Sequence, residues 1–106
     1  MIRFRFINPD GATEYYEYGS GLWTIGRDAQ CDMYLNHASV SSQHATLSHF
    51  NGRWLLSDLG STNGTLINGE LIQKRFLNEG DSVHFGAFKC WVEILPVFAR
   101  MSPAIS

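Results

Sequence analysis

Apolar side chains in this sequence recur at every second position. Ile2, Phe4 and Phe6 alternate with Arg3 and Arg5, and Phe88, Cys90, Val92 and Ile94 alternate with Lys89, Trp91 and Glu93. Successive side chains of an extended strand leave on opposite faces, so each run specifies one buried and one solvated face. Short apolar or β-branched runs lie between them, at Tyr15 to Tyr18, Leu22 to Ile25, Met33 to Leu35, Ala45 to Leu47, Trp54 to Leu56, Thr65 to Ile67 and Ser82 to Phe85. No stretch long enough for a regular helix holds the period of about 3.6 residues. Helix is therefore limited to a turn or two. With 106 residues, of which 44% are hydrophobic and 17% charged, the chain suits one packed domain and is too apolar for disorder.

Turn signals separate the runs. Asn51-Gly52 sits between two of them, and Asn-Gly readily supplies the two positive φ angles of a type I′ hairpin. Asn63-Gly64 and Asn68-Gly69 repeat that signal, Asn78-Glu79-Gly80-Asp81 gives a longer connection, and Gly86-Ala87 suits a tight turn into the last strand. Turns at this spacing predict an all-β sandwich or barrel. The alternation fails from Pro96 onward, so residues 1–95 read as the domain and 96–106 as a C-terminal tail or the start of a linker. Val97, Phe98, Met101 and Ile105 of that tail can pack locally or meet a neighbouring region.

Several function classes are excluded by what the residues lack. The opening run breaks at Asn8-Pro9-Asp10-Gly11, which leaves no apolar core for a signal peptide, and no window approaches the roughly 20 apolar residues of a membrane helix. A soluble cytoplasmic domain with no membrane role is the expectation. Cys31 and Cys90 lie far apart and read as two buried free thiols. Eight Lys and Arg against ten Asp and Glu give a net charge of −2, and the cations are scattered, which argues against a nucleic-acid partner. His37, His44, His49 and His84 show no ligand-like spacing, so neither a metal nor a cofactor is expected. Ser41 and His44 suggest a nucleophile and base, yet no Gly-x-Ser-x-Gly elbow and no phosphate-binding Gly-x-x-x-x-Gly-Lys loop is present, so no catalytic residue is assigned. Trp23, Trp54 and Trp91 fall in strand runs and read as core or sheet-face rings.

The informative residues lie between the strands. They are Gly26-Arg27, then Val40-Ser41-Ser42-Gln43-His44-Ala45, then Asp58-Leu59-Gly60-Ser61-Thr62-Asn63-Gly64-Thr65, and last the segment from Leu77 to Gly86. An arginine presents a planar fork that grips two oxygens of a phosphate dianion, while short hydroxyls add neutral donors without crowding. Asn offers both a donor and an acceptor for a peptide main chain. Arg27, Ser41, Ser42, Thr62 and Asn63 all fall in inter-strand loops, where binding groups usually sit.

In this order and spacing the four segments resemble the forkhead-associated (FHA) domain. The resemblance covers residues 2 to 95 and implies a two-sheet antiparallel β-sandwich of many short strands, with loops at one end that bind phosphothreonine peptides. By that resemblance Arg27 and Ser41 are phosphate ligands, Thr62 supports the phosphothreonine pocket, and Asn63 fixes the ligand's main chain. Gly26, His44 and Gly64 shape the loops. Ser42 departs from the pattern, because many members have a basic residue or Asn there; a serine is shorter and uncharged, which implies weaker phosphate binding. Ser39 and Ala87 stand where, by family analogy, the residue three after the phosphothreonine is read, and nothing charged is there.

Each residue also has a plainer reading. Arg27 can form a surface ion pair with Asp28 or Asp32, Ser41 and Thr62-Asn63 can serve turn chemistry alone, and His44 reads as a packed imidazole bonding a loop backbone. The expected partner is a phosphothreonine-containing protein, the product of a Ser/Thr kinase. The alternative is a docking or assembly domain that works without phosphorylation, in a scaffold or secretion machine; Ser42 and the apolar tail are its support.

Overall fold

The structure, a computed structural model, describes residues 1–95; the tail read at 96–106 lies outside the described residues. The chain forms β1 (Ile2–Ile7), β2 (Thr13–Tyr18), β3 (Leu22–Gly26), β4 (Met33–Tyr34), β5 (Ala45–Phe50), β6 (Arg53–Asp58), β7 (Thr65–Ile67), β8 (Glu70–Ile72), β9 (Lys74–Phe76), β10 (Ser82–Phe85) and β11 (Phe88–Ile94). One sheet has six strands in the order β2-β1-β11-β10-β7-β8, and the other has five in the order β4-β3-β5-β6-β9. Every single-residue alternation read above obeys its period: Ile2, Phe4 and Phe6 are fully buried, as are Val83, Phe85, Cys90 and Val92 of the same sheet. They face Ile25, Ala45, Leu47 and Leu56 of the other sheet, also fully buried.

Phe6 sits among aromatic neighbours, with Tyr16 at 5.5 Å, Phe88 at 6.2 Å and Phe85 at 6.3 Å between ring centroids. Trp54 is buried, Trp23 packs on Tyr18 at 5.0 Å, and Trp91 lies on the outer face between Arg5 and Lys89, at 4.8 and 4.9 Å. Cys31 and Cys90 are buried free thiols.

Three details differ from the sequence reading. The short strands β8 and β9 were not visible there, because their residues are mostly exposed or half-buried and form no apolar run, unlike the equally short β7, which buries Thr65 and Ile67. Strand β4 pairs with β3 in parallel over two residues, Ile25 with Met33 and Gly26 with Tyr34, so the sandwich is not wholly antiparallel. The Asp32 carboxylate makes this return possible: it accepts hydrogen bonds from the Thr24 amide at 2.9 Å and the Thr24 hydroxyl at 3.0 Å, drawing the chain back beside β3. The third difference is Asn63-Gly64, which is not a hairpin. Asn51 and Gly52 have φ of 51° and 75°, and Asn68 and Gly69 have 52° and 83°, as type I′ turns require. At 63–64 only the glycine has positive φ, at 82°, because β6 and β7 belong to different sheets and the connection crosses between them.

The connections at 27–32 and 35–44 within the five-stranded sheet, the crossing at 59–64 and the turn at 86–87 meet at one end of the sandwich. The Arg27 amide donates to the Ser41 carbonyl at 2.9 Å, the Asn63 side-chain amide to the Ser39 carbonyl at 2.8 Å, and the Ala87 amide to the Ser39 hydroxyl at 2.8 Å.

Candidate functional site

Gly26 ends β3 against the backbone of the 35–44 loop. A Cβ at Gly26 would overlap the Ser42 carbonyl, so no other residue fits without moving main chain. The same carbonyl accepts from the Asp28 amide at 3.2 Å and from the Cys31 thiol at 3.5 Å. This clasp fixes where the side chain of Arg27 emerges. It is exposed, and its Nη2 donates to Ser42 Oγ at 3.4 Å. Among the described residues Arg27 has no ion pair; those present involve Arg3, Arg5 and Arg75. The carboxylates expected to compete for it are engaged locally, Asp28 by the Gln30 amide at 3.0 Å and Asp32 by Thr24.

Ser41 Oγ accepts from the Thr62 amide at 2.9 Å, which leaves its own proton free to donate. Arg27, Ser39, Ser41, Ser42, Thr62 and Asn63 line one open cleft of about 280 Å³. The structure thus brings all five residues read as peptide-binding to one place, with Ser39 beside them. The hydroxyl of Ser39 is already used: it meets His37 Nδ1 at 2.8 Å and accepts from Ala87. A Cβ at Gly86 would overlap the Ser39 main chain, so this glycine, at φ 58°, permits the contact that joins Ser39 to Ala87. What the pair offers outward is the exposed Ala87 rather than a polar group.

Beneath the cleft lies His44, fully buried. Its Nδ1 accepts from the Ser41 amide at 3.2 Å and its Nε2 donates to the Gly64 carbonyl at 3.0 Å, which defines the neutral Nε2–H tautomer. The ring also stands edge-on to Phe85 at 5.7 Å. Burial pushes its pKa below the ordinary value, outweighing the Gly64 bond and the Asp58 charge, which act the other way. Because Nδ1 is bonded to the amide of Ser41 and not to its hydroxyl, the two do not form a nucleophile–base pair. His44 instead ties the 35–44 loop to the 59–64 loop.

Asp58 was not singled out in the sequence, and it organises the 59–64 loop. Its Oδ2 accepts from the amides of Gly60 at 2.9 Å and Ser61 at 3.0 Å, and its Oδ1 from the hydroxyls of Ser61 at 2.6 Å and Thr65 at 2.8 Å. Burial raises the pKa of this carboxyl, but the hydrogen bonds from Ser61, Thr65 and Gly60 together outweigh it and hold the group below the usual carboxylate value. The signal available was local: an Asp two and three residues before Gly and Ser is the pattern of a side chain capping its own turn.

Residues 23–86 match the family model of the FHA domain, and the chain belongs to that family. It is 36% identical over 66 residues to the oxoglutarate dehydrogenase inhibitor of Corynebacterium diphtheriae, covering 62% of this chain and 46% of that protein. The chain spans less than half the length of such curated relatives. Among solved structures, the FhaA FHA domain, complexed with the intracellular domain of Rv3910, superposes with a TM-score of 0.78 at 29% identity, covering 88% of this chain and 100% of that one. The N-terminal FHA domain of Saccharomyces cerevisiae Rad53p, solved with a phosphothreonine peptide, gives 0.76 at 25% identity, covering 92% and 97%. Among the described residues no helix is long and apolar enough to cross a membrane, and no group of His, Cys, Asp and Glu is arranged to hold a metal ion.

Proposed function

We propose that this chain is a non-catalytic recognition module that binds a phosphothreonine segment of a partner protein, the product of a Ser/Thr kinase. The observation that carries the reading is the Arg27 guanidinium, exposed and without a carboxylate partner among the described residues, beside Ser42 Oγ in a cleft that Ser41 and Thr62 also line. A phosphate there receives charge-assisted bonds from Arg27 and neutral ones from the two serine hydroxyls. Thr62 lies beside the phosphothreonine, and Asn63, with its amide nitrogen held by Ser39, turns its side-chain oxygen to an N–H of the bound peptide. Ser39 and Ala87 form the neighbouring wall, where the engaged hydroxyl and the methyl favour an uncharged residue.

One guanidinium ringed by neutral donors makes a single-phosphate site compatible with a net charge of −2. Affinity then falls only shallowly with salt, because few counterions are displaced. Kinase products are met in the cytoplasm, where we place the module, with residues 1–95 as the recognition unit and 96–106 as its tail or linker.

The test is titration of phosphothreonine peptides and their dephosphorylated twins against wild type and Arg27→Ala. The expected result is phosphate-dependent binding that weakens by about 2 kcal/mol or more in the variant. Equal affinity for both forms of the peptide overturns the reading in favour of docking without phosphorylation.

A further inference from the structure

The wall of the phosphate cleft continues past Ser39. The His37 ring that bonds Ser39 also stands edge-on to Phe88 at 6.0 Å. There a second cleft of about 300 Å³ opens between the turn after β1 and the chain leaving β4, lined by Asn8, Glu14, Tyr16, Tyr34, Asn36 and Phe88. A hollow bordered by Asp10 and His37 adjoins this second cleft and shares Asn8, Asn36 and Phe88 with it.

The charge of this second cleft is opposite to that of the first. Glu14 is exposed, and it accepts only from neutral donors, Asn8 Nδ2 at 2.9 Å and Tyr16 Oη at 3.0 Å. Asp10 accepts from the Ala12 amide at 2.9 Å. Among the described residues neither carboxylate has an ion pair. Burial and the adjacent Glu14 push the Tyr16 hydroxyl up to about 12, as a negative neighbour requires. The two clefts thus share one end of the sandwich, flanking the Ser39, His37 and Phe88 contacts, with a guanidinium in one and, among the described residues, carboxylates without an ion pair beside the other. An extended segment that places a dianion on Arg27 and a cation at Glu14 complements both, and the aromatic lining suits the stem and head of a long basic side chain.

We propose that the second cleft takes an arginine or lysine of the same partner segment, on the side of the phosphothreonine that passes Ser39 and Ala87. This rests on the phosphopeptide reading above. The site deepens that reading by adding a basic residue to the recognised sequence.

The experiment uses phosphothreonine peptides in an alanine–serine background, with one arginine walked through every position on both sides. Each is titrated against wild type, Glu14→Gln and Glu14→Lys by fluorescence anisotropy. On one side only, one or two adjacent positions should raise wild-type affinity about threefold to fivefold, the scale of an exposed charge pair. Glu14→Gln should lose that gain while binding the arginine-free phosphopeptide like wild type, and Glu14→Lys should turn the gain into a loss. The proposal is overturned if no arginine position helps, or if the gain persists in both variants. If the arginine-free phosphopeptide binds but no arginine helps, only the second cleft is wrongly assigned. If that peptide and its dephosphorylated twin bind alike, the phosphopeptide reading fails and this one with it.

Discussion

Asn51-Gly52 and Asn68-Gly69 each join neighbouring strands of one sheet, whereas Asn63-Gly64 lies where the chain leaves one sheet for the other. In the first two, both residues take positive φ and the turn is a local matter. In the third, Asn63 keeps an ordinary backbone and sends its side chain 2.8 Å to the Ser39 carbonyl of another loop, while the Gly64 carbonyl rests on His44. The difference teaches that a dipeptide's backbone preference is realised only where the flanking strands can pair. Where they cannot, the same two residues are held by tertiary partners.

The contrast can be broken from the tertiary side first. His44→Ala removes both partners that tie the crossing loop, strands the Ser41 amide and Gly64 carbonyl, and leaves a cavity, so it should cost about 3 kcal/mol in urea denaturation and weaken phosphopeptide binding as well. Asn68→Ala comes next, at about 2 kcal/mol: it forces alanine into positive φ and removes the 2.9 Å bond to the buried Asp81 and the 3.0 Å bond from the Ser82 amide.

Acid should act in the same direction as His44→Ala, and less severely. The pKa of folded His44 lies below its ordinary 6.5, so the unfolded chain binds the extra proton first. The stability that neutral His44 supports is intact above pH 6.5 and is lost as pH falls through the folded pKa; His44→Gln should flatten this part of the profile between denaturation series at pH 7.5 and pH 5. Asn51→Ala, which strains the backbone but forfeits no side-chain bond, should cost about 1 kcal/mol with binding unchanged. Asn63→Ala should be the smallest in stability, at about 0.5 kcal/mol for its one exposed bond to the Ser39 carbonyl, yet lower phosphopeptide affinity in the same peptide titration. If Asn63→Ala and Asn51→Ala prove alike in both measurements, the distinction between the two kinds of turn collapses.

Much of the fold was readable because burial on one face imposes a period on the strands that cover the core. β1 and β11 show this, with Arg3, Arg5 and Lys89 outward and Phe4, Phe6 and Cys90 inward. β8 and β9 escape it because, unlike the equally short β7, they bury at most one residue, and β4 hides its direction because two residues cannot reveal a parallel partner. At the candidate site, the ordered set from Gly26 to Gly64 was readable as a family pattern, and its clustering follows from bonds between loops, such as Thr62 to Ser41 and Asn63 to Ser39. Whether Arg27 pairs with Asp28 or Asp32 was not readable, since that depends on Thr24 and the Gln30 amide having claimed those carboxylates. The engagement of the Ser39 hydroxyl was equally hidden, because one of its partners, Ala87, lies far along the sequence while the other, His37, is a near neighbour.

Within the six-stranded sheet β1 pairs with β11, Ile2 opposite Ile94 and Ile7 opposite Lys89. The chain must therefore close a loop spanning almost all of the described residues before this sheet exists. Such distant pairing slows folding into the millisecond-to-second range typical of sandwiches. On a ribosome, β1 and β2 emerge early and then wait, with Phe4 and Phe6 uncovered on one side, until the last strand is released. The domain accordingly acquires its recognition end as a late, all-or-none event rather than loop by loop.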